Sequence, residues 1–123
     1  MRPTGGDPSA AAAARTLDEL HRFYAAHPAE SLQDDALLCY VLEHNRQRTP
    51  VNSTHLVRCR LFGTLPTVTE RIGRLLDKGL IRQVIDVDRR VRLIEVTTLG
   101  ISLLEKRSRL IEAALGPDFA GKT

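Results

Sequence analysis

The stretch PTVTERIGRLLDKGLIRQVIDVDRRVRLIEVTTLG, residues 66–100, changes its hydrophobic period midway and then changes it back. In its first part Val68, Ile72, Leu75, Leu76 and Leu80 recur at three- and four-residue spacing, which places them on one buried helical face. Thr67, Glu70, Arg71, Arg74 and Lys78 fall opposite. Pro66 suits a first helical turn because its missing N–H has no intrahelical partner there, and Gly79 supplies the left-handed residue that ends a helix at little cost. The next part has strand chemistry: Ile81–Ile85 and Val91–Val96 flank the polar tip Asp86-Val-Asp-Arg-Arg90. Arg89, Arg90 and Arg92 crowd that end. Thr97 can cap a further helix through Leu99, Leu103, Leu104, Leu110, Ile111 and Ala114, with Gly116-Pro117 as its stop.

A helix, a short two-stranded ribbon with a basic tip and a second helix, in that order, predict a winged helix-turn-helix. The fold class is mainly α with a small β-hairpin wing (α+β), flanked by N- and C-terminal helices for dimerisation. Working upstream, residues 1–8 hold little to bury and read as a flexible tail. Residues 9–30 read as an N-terminal helix that starts in the alanine run Ala10–Ala14 or only at Thr16, and ends near His27-Pro28. Ser31-Leu-Gln-Asp34 resembles a capping box and opens a helix through Leu37, Leu38, Tyr40, Val41 and Leu42 that stops at Thr49-Pro50. Asn52 or Ser53 caps a third helix carrying Leu56, Val57, Leu61 and Phe62, and Gly63-Thr64 turns into the helix at Pro66. The DNA-binding core therefore spans 31–97, a C-terminal helix spans 98–115, and 116–123 form a second flexible tail.

These residues resemble the MarR family of bacterial transcription regulators. The match lies in Thr67-Val-Thr69 followed by Leu75, Gly79, Leu80 and Ile81, in the wing tip Asp88-Arg89-Arg90, and in Thr97-x-x-Gly100 beyond that tip. It covers roughly Asp34 to Leu115, with a slightly longer Val57–Pro66 segment and a slightly shorter wing tip than is usual. The resemblance implies a homodimer that binds double-stranded DNA, with helices from both chain ends packed about a twofold axis. Leu17, Leu20, Phe23 and Tyr24, then Leu103, Leu104, Leu110 and Ile111, are the apolar sets available for that role; either set could instead complete the monomer core.

Charge distribution agrees with a nucleic-acid partner. Residues 46–92 hold eleven basic side chains against four acidic ones, whereas residues 1–45 hold three against seven. The positive field thus falls on the expected reading head, where phosphate binding releases counterions. A chain of 123 residues makes one small domain with a small core, for which dimerisation is a natural supplement. There is no apolar run near the roughly 20 residues of a membrane span and no signal-peptide core, so a cytoplasmic protein is expected. Two cysteines, Cys39 and Cys59, are too few for a disulfide scaffold.

Helix geometry assigns roles. A helix of about 66–78 in the major groove would bring Thr67, Thr69, Glu70, Arg71 and Arg74 toward base edges, and guanidinium contacts to guanine make Arg71 and Arg74 the leading specificity candidates. Glu70 either accepts from cytosine or pairs with Arg74 four residues on. Arg89 and Arg90, on a wing of about 81–96, can reach the minor groove or phosphates. Asp86 and Asp88 can bond an arginine of the tip and so shape the wing, and the resemblance to MarR-like wings implies that Asp88 is the brace. Cys39 reads as a small core residue; Cys59, between Arg58 and Arg60, is the candidate redox thiol.

Other chemistries lack their motifs. His21, His27, His44 and His55 with the two cysteines show no zinc-finger spacing and no His-Glu-x-x-His, and no Gly-x-Ser-x-Gly, P-loop or Gly-x-Gly-x-x-Gly occurs. No metal, no cofactor and no enzyme activity are expected. Sequence-specific DNA binding, as a repressor on a near-palindromic operator, is the leading reading. A protein-interaction module, a non-specific architectural DNA-binding protein and the presence of a small-molecule effector all stay open, because fold does not settle function and an effector pocket would be lined by ordinary apolar residues.

Overall fold

The structure, a computed structural model, describes residues 8–28 and 30–115, without the side chains of Pro8, Ile111 and residues 113–115. The tail expected at 116–123 and the Gly116-Pro117 stop lie outside the described residues, as does most of the tail expected at 1–8. Among the described residues five helices and a hairpin follow one another: α1 Pro8–Ala26, α2 Leu32–Arg46, α3 Ser53–Arg58, α4 Leu65–Asp77, β1 Ile81–Asp86, β2 Val91–Val96 and α5 Thr98–Leu115. No helix among the described residues is long and apolar enough to cross a membrane.

The chain divides into two compact units, one of Ser31–Leu104 and one of the chain ends through Glu30 and from Glu105. In the unit of the ends, the Arg107 guanidinium lies 4.4 Å from the Phe23 ring centroid and 3.2 Å from a Glu30 carboxylate oxygen. Phe23 also meets Tyr24 edge to face at 5.1 Å. Leu17 is exposed, Leu20 and Leu110 are half-buried, and the Ile111 side chain lies outside the described residues.

The central unit forms because each helix presents one apolar face. Leu37, Leu38 and Val41 of α2, Leu56 of α3, and Val68, Ile72 and Leu75 of α4 bury together with Val51, Leu80, Ile81 and Ile94. Each fully buried Leu or Ile contributes about 1.5–3 kcal/mol by leaving water. Leu103 and Leu104 pack against this core within their own chain. Caps set the starts: the Asp34 N–H donates to Ser31 Oγ (3.2 Å) and the His55 N–H to Asn52 Oδ1 (2.9 Å). α3 ends at Arg58, earlier than its apolar pattern suggests. Arg60 takes a left-handed φ of 61°, so Leu61 is turned into solvent while Phe62 still reaches the core.

β1 and β2 pair antiparallel in register from Ile81↔Val96 to Asp86↔Val91. Gly79, at φ 71°, reverses the chain from α4 into β1, and the Leu80 N–H donates back to the Leu75 carbonyl (3.0 Å). The opposite edge of the hairpin is met by Val51, whose carbonyl accepts the Ile94 N–H at 2.8 Å. Thr97 closes the base: its hydroxyl donates to the Gly79 carbonyl (2.6 Å) and accepts the Gly100 N–H (3.2 Å). A side chain at Gly100 would collide with the Leu80 carbonyl oxygen and Val96, so this close approach demands glycine.

Candidate nucleic-acid interface

With Val68, Ile72 and Leu75 facing inward, α4 exposes Pro66, Thr69, Glu70 and Asp77, while Thr67 is half-buried. Gly73 lies on the same outer side, and nothing comes within 4 Å of where its Cβ would be. Around Gly73 the outer face of α4 is therefore open to close backbone approach.

Arg71 and Arg74 require a correction to their expected exposure. Arg74 Nε donates to Asp34 Oδ2 (2.8 Å) and its Nη2 to Asp34 Oδ1 (3.0 Å), a two-pronged grip on a carboxylate whose side chain is only 3% exposed. Arg71 Nη1 donates to the same Oδ1 at 3.3 Å. The third arm of Arg74, Nη1, holds Glu70 Oε1 at 2.9 Å, so of the two roles open to Glu70 the structure displays the local pair. The Asp34 hydrogen bond, opposed by desolvation and reinforced by the Asp34 and Glu70 charges, drives the Arg74 pKa above its ordinary value. Both guanidiniums are drawn sideways onto α2 because Asp34 is buried there and needs positive partners.

The wing carries Arg89 and Arg90 exposed at its tip. Here too one expectation changes: the brace is Asp86. Its Oδ1 accepts the N–H groups of Asp88 (3.1 Å) and Arg89 (3.3 Å), while Asp88 extends into solvent. Asp86 sits at the end of β1, where its side chain can satisfy the tip amides that the ladder leaves unpaired. Arg90 adopts a left-handed φ of 54°, and Arg89 Nε stands 3.7 Å from Asp86 Oδ2.

A residue missed by the sequence reading fixes the wing. Asn45 Nδ2 donates to the Ile94 carbonyl (3.1 Å), and Asn45 Oδ1 accepts the Val96 N–H (2.9 Å), so one amide near the end of α2 completes part of the outer edge of β2. Cys39 is exposed on α2 and not in the core; partial desolvation and the Asp35 charge raise its thiol pKa. Cys59 is half-buried and donates to the Leu56 carbonyl at 3.3 Å. Tyr40, His44, His55 and Phe62 form a ring cluster between α2 and α3, in which the Tyr40 hydroxyl and His55 Nε2 are 2.9 Å apart. Among the described residues no group of three or more His, Cys, Asp or Glu side chains is placed to hold a metal ion.

A helix-turn-helix whose second helix turns its outer face to solvent, followed by an arginine-tipped hairpin, defines a winged helix-turn-helix. Solved structures with this fold include MepR, a transcription regulator of the Staphylococcus aureus multidrug efflux pump MepA, which is 22% identical over 79% of this chain and 67% of its own, with a TM-score of 0.63. MepR in complex with DNA gives a TM-score of 0.60 at 24% identity, covering 78% of this chain and 66% of that one. MepR bound to ethidium bromide gives 0.61 at 23%, covering 83% and 68%. This chain thus spans about two thirds of the MepR chain in these matches, and it shares with MepR the winged-helix fold. No protein-family model matches the sequence, and no curated protein matches it.

Proposed function

We propose that this protein is a transcription regulator that binds double-stranded DNA, acting as a repressor and as a homodimer on a near-palindromic operator. The observation that carries the reading is the presence, in one compact unit, of α4 with an exposed outer face and a wing tipped by Arg89 and Arg90. α4 enters the major groove, with Thr67 and Thr69 touching phosphate or thymine methyls and the wing arginines at the minor groove or phosphates. The solved complex of MepR with DNA supports this use of the fold. Leu17, Leu20, Phe23, Tyr24 and Leu110 supply the twofold contact in this reading. The ethidium complex of MepR extends the proposal to a small-molecule effector that loosens DNA binding.

One observation favours a second reading. Arg71 and Arg74 are engaged by Asp34, which leaves threonines and acidic side chains as the polar groups of α4's outer face. Little guanidinium readout then remains in the major groove, as in an architectural protein that binds duplexes with low sequence preference. Selection of bound sequences from random duplex DNA at near-physiological salt separates the two. Enrichment of an inverted repeat supports the dimeric regulator. Binding without enrichment supports the architectural role, and absence of binding refutes both in favour of a protein-interaction module.

A further inference from the structure

Between α3 and the wing runs an open groove of about 580 Å³. Thr54, His55 and Arg58 line it from α3, and Arg89, Val91 and Leu93 from the hairpin. Its two arginines come from elements on opposite sides, and their ion pairing is weak. Arg58 is exposed and makes no ion pair among the described residues, and the contact of Arg89 to Asp86 is long, at 3.7 Å. Val91 and Leu93 give the groove an apolar flank, against which the field of two cations is less screened than over open water.

Thr54 and His55 add polar groups to the lining. The Tyr40 hydroxyl lies 2.9 Å from His55 Nε2, which anchors the imidazole at the groove's edge. A groove lined by Arg58, Arg89, the Thr54 hydroxyl and the His55 ring, open at the surface, matches a tetrahedral oxyanion held along a continuous strand.

We infer that the α3–wing groove seats a phosphodiester of the DNA backbone, with Arg58 as a binding residue that locks the helix-turn-helix and the wing onto one strand. The inference rests on the DNA-binding reading above and adds a contact outside α4 and the wing tip. It gives Arg58 a positioning role, in phosphate contact only, with no part in choosing bases.

The test is duplex binding by fluorescence anisotropy across a salt series, using the full chain, the operator selected as above and an unrelated duplex. Arg58→Ala is expected to weaken binding to both duplexes by a similar factor and to lower the magnitude of the salt slope by about 1, as loss of one phosphate contact does. Arg58→Lys is expected to restore most of that slope, since it returns the charge. An unchanged slope in Arg58→Ala, with wild-type binding intact, overturns the groove assignment while leaving the DNA-binding reading standing. Loss of preference for the operator over the unrelated duplex also overturns it, because the contact would then be reading bases. If the wild-type chain binds neither duplex, the underlying reading has failed instead.

Discussion

Replacing Asp34 with alanine removes the acceptor of three hydrogen bonds that α4 makes to α2. The two arginines lose unequally. Arg74 has a 40% exposed side chain and keeps Glu70, so it turns to water and its share is about 1 kcal/mol after solvent screening. Arg71 is only 19% exposed, its Nε is already buried with no hydrogen-bond partner, and it loses its ion-pair partner. An enclosed ion stripped of its partner costs about 3–5 kcal/mol, and partial exposure reduces this to about 2 kcal/mol here. The total is about 3 kcal/mol, or a fall of about 12–24 °C in the thermal midpoint of a domain this size. Melting followed by far-ultraviolet circular dichroism reads it directly. A fall below about 4 °C would refute the reasoning, as would strict additivity of Asp34→Ala with Arg74→Ala, since residues sharing a bond must couple.

Other outcomes follow from the same geometry. Asn45→Ala leaves the Ile94 carbonyl and the Val96 N–H without their partner, and should cost about 2 kcal/mol and speed hydrogen exchange at the Val96 amide. Gly100→Ala drives a methyl into the Leu80 carbonyl, so a loss of about 1–3 kcal/mol in a denaturant titration is expected; wild-type stability would disprove the close approach. Asp86→Ala should lower duplex affinity with little change in melting, because it frees the tip amides of an exposed turn and leaves the core intact. Asp88→Ala should do neither. Peroxide should weaken duplex binding by the wild-type protein and spare Cys59→Ser if Cys59 senses oxidation; equal loss in both proteins excludes that role.

What the sequence disclosed and what it hid divide along chain distance. The α4 face, the two strands of the hairpin and the Thr97-x-x-Gly100 turn are written in neighbouring residues, so period and turn chemistry reach them. Asp34 and Asn45 are different. Asp34 reads as a cap-box residue, yet its carboxylate is claimed by an arginine 40 positions away, and Asn45 reaches 49 and 51 positions to Ile94 and Val96. Local pattern says nothing about such pairs. This is also why Arg71 and Arg74 look available in the sequence: helical spacing shows which residues leave the core face, but not which neighbouring helix stands beside them. Asp86 is legible as a structural residue of the wing, since an aspartate at a strand end facing unpaired tip amides is a familiar turn device. Only the choice of Asp88 over Asp86 as the brace came from the resemblance.

Asp34 and Asn45 stand eleven residues apart on one helix, which at 3.6 residues per turn is about three full turns, so both side chains leave α2 on nearly the same side. One of them holds the second helix of the turn and the other holds the hairpin. α2 is thereby a gauge: its rise, about 16.5 Å along the axis between the two attachments, sets the distance between parts that it never joins through the backbone. Inserting a single residue between these positions would rotate one attachment about 100° away from the other and add about 1.5 Å, so only one of the two parts could stay fastened. In the DNA-binding reading, the span of the protein's grip on a duplex is then measured out by a helix that need not touch the duplex at all.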